Sequence, residues 1–91
     1  MTSALEKTVQ IRNLRGLHAR AAAKFVKIVE CRKADVTVAK DDMSVRGASI
    51  MGLLMLSASK GTHIRIAVSG DDAASVLDEL VSLVERRFDE E

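Results

Sequence analysis

The sequence predicts an α+β fold: one four-stranded, mainly antiparallel sheet with three helices on one face, in the order β-α-β-β-α-β-α. Three observations carry this expectation. Apolar and polar residues alternate with period two at 5–12, 35–46 and 62–68, and apolar residues recur at helical spacing over 19–30 and 73–88. The length of 91 residues leaves room for one core, and hence for a single domain over 1–91.

In the first strand Leu5, Lys7, Val9 and Ile11 share one side, and Glu6, Thr8, Gln10 and Arg12 share the other. Asn13 to Gly16 break the pattern. From Ala19 to Glu30 the residues Ala22, Phe25, Val26 and Val29 fall on one helical face, and His18 stands where that helix begins. Val36 and Val38, the polar pair Asp41-Asp42, then Met43 and Val45 read as a hairpin whose turn type stays open, because Asp-Asp lacks the usual glycine. Ser49 opens the run Ile50–Leu56, too poor in β-branched residues to favour a strand, which predicts a helix of about two turns. After Lys60-Gly61, Ile64, Ile66 and Val68 face inward and His63, Arg65 and Ala67 outward, and Ser69-Gly70 end this strand. Asp71-Asp72 supply an N-cap for the last helix, whose stripe of Ala73, Leu77, Leu80, Val81, Val84 and Phe88 is closed by Arg86-Arg87.

Composition narrows the function. A formal net charge of +1 offers no overall attraction for nucleic acid or for a membrane surface. Phe25 and Phe88 are the only aromatic residues, so the stacking platforms of single-strand binders are missing and no nucleic-acid partner is expected. No stretch approaches the roughly 18 apolar residues of a membrane span, and Met1–Lys7 contains no basic segment leading into an apolar run. A cytoplasmic protein is expected. Cys31 is the single cysteine, which excludes an intrachain disulfide, fits a reduced compartment and is expected to be a buried, inert thiol. The two histidines lie far apart, and no Glu-x-x-His or Cys-x-x-Cys spacing accompanies them. Neither a metal site nor a cofactor is expected, and His63 reads as a solvated surface residue.

Gly16-Leu17-His18-Ala19-Arg20 is where chemistry is expected. His18 stands at a helix N-terminus, near backbone N–H groups without partners and at the positive end of the dipole, which makes an anion site with a nucleophile in it. Imidazole, with a reference pKa of about 6.5, is substantially neutral near pH 7 and can attack phosphorus through a ring nitrogen. Arg20 and the amides of Ala19, Arg20 and Ala21 can then hold the phosphoryl oxygens. A plain N-cap or surface histidine is the competing reading.

Gly16–Arg20, followed by Ala22-Ala23-Lys24-Phe25-Val26, closely resembles the phosphohistidine signature of the HPr family of the bacterial phosphotransferase system. The resemblance continues through Ser49-Ile50-Met51-Gly52 and the Lys60-Gly61-Thr62 turn to the last helix. It implies an HPr-like open-faced sandwich and a phosphocarrier that is not itself an enzyme. It further implies that His18 accepts a phosphoryl group on Nδ1 from an Enzyme I type donor, with Arg20 stabilising the phosphate, and passes the group to a IIA-type acceptor. Ser49 matches the family's regulatory serine, which implies a serine kinase/phosphorylase as a further partner, and the chain is expected to be a monomer. The family's partner-facing positions fall on Ile50, Met51, Leu54 and Met55, leaving Leu53 and Leu56 for the core.

One departure stands out. The family signature has proline after the arginine where this chain has Ala21, so the first turn loses a fixed φ and gains an N–H. That variant is similar to nitrogen-type and alphaproteobacterial HPr proteins, which implies a regulatory relay and puts sugar transport in doubt. Two other function classes are weighed against the carrier. A regulatory interaction module would act through the Ser49 helix without phosphoryl transfer, and the presence of His18 and Arg20 speaks against it. An α+β RNA- or ligand-binding domain shares the element order, and the missing aromatics speak against RNA.

Overall fold

In the computed structural model, which describes residues 4–90, the chain forms β1 (Leu5–Gln10), α1 (Ala19–Glu30), β2 (Ala34–Lys40), β3 (Met43–Arg46), α2 (Ile50–Met55), β4 (His63–Gly70) and α3 (Ala73–Glu85). Met1–Ser3 and Glu91, the ends of the expected domain, lie outside the described residues. The predicted element order and fold class are present. The sheet order is β1-β4-β2-β3 and every pairing is antiparallel. β4 is thus inserted between β1 and β2, which run parallel to each other on either side of it. Helix α3 packs on β1 and β4, α1 on β2, and α2 on β3, with α1 also touching both other helices.

Register follows from the buried face. Val9 stands opposite Ile64, Ile66 opposite Val38, and Val68 opposite Val36. These cross-strand rows join one core with Phe25, Leu53, Leu80, Leu83 and Phe88. In the β2–β3 hairpin Lys40 pairs with Met43 across a two-residue loop. Asp41 takes the left-handed conformation there (φ 53) in the place of a glycine, which a short polar side chain tolerates better than most.

Several sequence expectations are corrected. Strand β1 ends at Gln10 rather than Arg12. Leu5, expected inside, is exposed, and so is Lys7, so that Val9 alone of the strand is buried. Ile11 is fully buried beyond the strand, its N–H donating to the Thr62 carbonyl at 2.8 Å. Cys31 is exposed and not buried, because it follows Glu30 as the C-cap of α1, past the buried stripe that ends at Val29.

In α3 the buried set is Val76, Leu80, Val81, Leu83 and Val84, and Ala73 and Leu77 are only partly buried. Asp72 occupies the N-cap position without a side-chain cap bond; its backbone is not extended there, and its carboxylate lies 4.0 Å from the Arg32 guanidinium. Phe88 is buried as expected but not as part of the helix, which ends at Glu85. Arg87, Phe88 and Asp89 form a left-handed turn with φ of 62, 54 and 62.

Gly16 shows how tightly the loop before α1 is packed. Its φ of +66 suits glycine, and a Cβ there would overlap the Ala58 carbonyl oxygen and lie 2.9 Å from Ser59 Cα. Gly16→Ala should therefore lower the unfolding free energy in urea melts by at least about 2 kcal/mol. Ser49 caps α2, its Oγ accepting the Gly52 N–H at 2.9 Å. Ser49→Ala should cost about 1 kcal/mol in the same melts, with Ser49→Asp retaining most of the stability.

Candidate functional site

His18 ends the loop that follows β1 and is itself the N-cap of α1. Its backbone is extended (φ −80, ψ 179), and its carbonyl accepts the Ala22 N–H at 2.8 Å, which starts the helix. Nδ1 accepts the Arg20 N–H at 3.3 Å. A ring nitrogen that accepts an N–H carries no proton, so in the neutral ring the proton sits on Nε2. Nε2 meets the Glu90 carboxylate. The imidazole is thereby held at both nitrogens, with the Nδ1 lone pair turned toward the positive end of α1.

The loop that presents this ring is fixed from beneath. Leu17 is buried, and its N–H donates to the Ala58 carbonyl at 2.9 Å. Asn13 is fully buried, and its Nδ2 donates both to the Gly16 carbonyl at 2.7 Å and to Glu90 Oε1 at 3.0 Å. The Asn13 Oδ1 has no hydrogen-bond partner among the described residues. Gly61 N–H closes the neighbouring turn on the Ile11 carbonyl at 2.7 Å. These bonds tie the loop after β1 to the segment before β4.

Glu90 arrives from the left-handed turn. The buried Phe88 side chain anchors that turn in the core, Lys24 Nζ donates to the Phe88 carbonyl at 2.7 Å, and Arg86 Nε donates to Asp89 at 2.8 Å. Partial burial pushes the Glu90 carboxyl up, and the hydrogen bonds from His18 and Asn13, with the charges of His18 and Lys24, outweigh it. The group therefore sits below the usual carboxylate range.

His18 retains 22% of its side-chain exposure and Glu90 16%, so the ring is reachable from outside. It stands between two shallow depressions. One, of about 360 Å³, is lined by Leu14, Arg15, Arg20, Lys24, Asp89 and Glu90. The other, of about 160 Å³, is lined by Arg15, Leu17, His18 and the 57–59 loop. Arg20 is exposed and makes no ion pair among the described residues. The first turn of α1 contains no acidic residue. Ala19 and Ala21 lie in that turn, where backbone N–H groups have no partner four residues back; Ala19 is exposed, whereas Ala21 is buried as a whole residue, backbone included. The arrangement is an accessible nucleophile whose surroundings favour an anion on its Nδ1 side.

Ser49 and the α2 residues form a second, separate group. Ile50, Met51 and Met55 are exposed, Met51 to 71%, and Leu53 and Leu56 are buried. Leu54 is half-buried and packs against the core, so it presents less of itself outward than its three companions. Exposed methionines adapt to differently shaped surfaces.

Sequence reasoning missed Asn13, Leu14, Arg15, Lys24 and Glu90. Arg15 shares the loop with His18, and Lys24 stands one helical turn beyond Arg20, a spacing that places both on one side of α1. Leu14, 77% exposed, is an apolar residue in a polar loop. Glu90 had no local signal, since its position depends on a left-handed turn of three L-residues.

The family model described as the phosphorylation site of the phosphotransferase-system HPr component matches residues 5–86. The phosphocarrier protein HPr of Neisseria meningitidis serogroup A is 43% identical over 86 residues, covering 94% of this chain and 97% of that protein. The phosphocarrier protein NPr of Shewanella violacea is 40% identical, covering 94% of each chain. Among solved structures, HPr-C-His from Thermoanaerobacter tengcongensis is similar with a TM-score of 0.91 and 39% identity, covering 96% of this chain and 98% of that one. With its fold, its histidine-capped helix and a match along nearly its whole length, the chain belongs to the HPr family of phosphocarriers of the phosphotransferase system.

Proposed function

We propose that this chain takes a phosphoryl group onto Nδ1 of His18 from an Enzyme I type donor and delivers it to a IIA-type acceptor, as a cytoplasmic monomer in a regulatory relay of the nitrogen type. The observation that carries the reading is Nδ1 of His18 standing at the N-terminus of α1 and accepting the Arg20 N–H. In the transfer the Nδ1 lone pair attacks phosphorus. The Arg20 amide then exchanges its bond to the ring for one to a phosphoryl oxygen, joined by the Ala19 and Ala21 amides and the Arg20 guanidinium. Arg15 and Lys24 add positive charge at the rim. Ala19 and Arg20 are exposed, so the donors at this end of α1 stabilise the phosphoryl group moderately, which suits a carrier that must give it up again.

Ile50, Met51, Leu54 and Met55 form the surface on which donor and acceptor dock. Ser49 is the site of a regulatory serine kinase/phosphorylase. Its Oγ already accepts the Gly52 N–H, so a phosphate of about −2 charge there suits the helix end while placing a strongly hydrated group beside Ile50 and Met51. The similarity to an NPr protein and the Ala21 variant support the regulatory relay.

Phosphoenolpyruvate and an Enzyme I type protein should place acid-labile phosphate on the wild type and none on His18→Ala. A wild type that stays unlabelled with several such donors would sink the carrier reading in favour of the Ser49 interaction module. Met51→Glu should slow labelling roughly tenfold at limiting protein concentration while leaving the melting temperature within a few degrees. Unchanged labelling kinetics would remove Met51 from the docking surface.

A further inference from the structure

We propose that Glu90 is a positioning residue for His18, fixing the ring as its Nε2–H tautomer so that Nδ1 is the nitrogen that exchanges phosphate. The inference rests on the reading of His18 as the phosphoryl acceptor. Four anchors converge on one carboxylate. Phe88 is buried in the core. Lys24 holds the Phe88 carbonyl at 2.7 Å. The left-handed backbone of Arg87–Asp89 turns the chain back over the loop. Asn13, itself buried, donates to Oε1 at 3.0 Å and leaves Oε2 facing His18 Nε2. A surface carboxylate that happened to lie near a histidine would not be held this way; here each oxygen has its own partner.

The pairing has a chemical consequence. When Nδ1 attacks, its lone pair becomes the new N–P bond, and the pair of the broken bond stays on the donor's leaving atom. Nε2 keeps its proton, so the ring becomes cationic. The Glu90 carboxylate, accepting from Nε2–H, offsets that charge. In the onward step the N–P pair returns to Nδ1 and the ring is neutral again, so neither direction needs a proton from solvent. Arg20 and the helix amides act on the phosphoryl group; Glu90 acts through the ring.

The test compares wild type with Glu90→Gln, Glu90→Ala and Glu90→Asp, each first shown to be folded by its melting curve. Nitrogen-15 spectra of the imidazole at pH 8 should show the Nε2–H tautomer alone in the wild type, with an Nε2-bound proton protected from solvent exchange. Glu90→Ala and Glu90→Gln should lose that protection, and Glu90→Ala should populate the Nδ1–H tautomer as well. Phosphate acceptance from phosphoenolpyruvate and an Enzyme I type donor should slow roughly tenfold in both. Glu90→Asp should recover part of each property. Ring spectra unchanged in Glu90→Ala would overturn the proposal, and so would altered spectra with unchanged transfer. A wild type that takes no label overturns the carrier reading and with it the transfer half of the proposal, while the ring spectra still decide the tautomer half.

Discussion

The insertion of β4 between β1 and β2 is the constraint on which the site depends. Because β4 is antiparallel to β1, the end of β1 and the start of β4 lie at the same end of the sheet. Helix α1 starts from the loop that leaves β1. Helix α3 follows β4, packs back along β4 and β1, and finishes at that same end. Three segments far apart in sequence, 11–18, 57–62 and 86–90, therefore meet there. Their mutual hydrogen bonds, from Ile11 to Thr62, Leu17 to Ala58 and Asn13 to Glu90, are the local expression of that topology. His18 stands at this hydrogen-bonded corner, where a helix begins.

Charge at this corner is balanced rather than concentrated. Arg15, Arg20 and Lys24 and the positive end of α1 face an incoming anion, and Asp89 and Glu90 border the same depression. A site built only of cations would bind phosphate tightly and hold it. With a carboxylate on the far nitrogen of the ring and cations on the near side, positive charge is available to the phosphoryl group while the ring's own charge is offset separately. Under the proposed transfer on His18, either direction then requires little reorganisation.

Helix α2 follows a different physical logic. Six residues on a sheet cannot bury an almost uniformly apolar sequence, so Leu53 and Leu56 face the core and Ile50, Met51 and Met55 face solvent. The Ser49 cap satisfies the helix's first turn and places a hydroxyl at the border of that apolar surface. One residue thus has a structural duty in the unmodified protein and a position from which added charge reaches the exposed residues.

The sequence by itself determined the element order, the strand faces of β2 and β4, and the start of α1 at His18 and of α2 at Ser49. All of these follow from periodicity and local capping chemistry, which act over a few residues. Its account of Leu5 and Cys31 failed because burial depends on which partner covers a side chain, and a strand end or helix terminus has none; in α3 it found Leu80, Val81 and Val84 but not Val76 and Leu83. Only the tertiary structure decided the placement of Glu90 beside His18. Its approach to His18 depends on a left-handed turn of three L-residues, a conformation that local propensity disfavours and that the buried Phe88 side chain and the Lys24 bond to its carbonyl support.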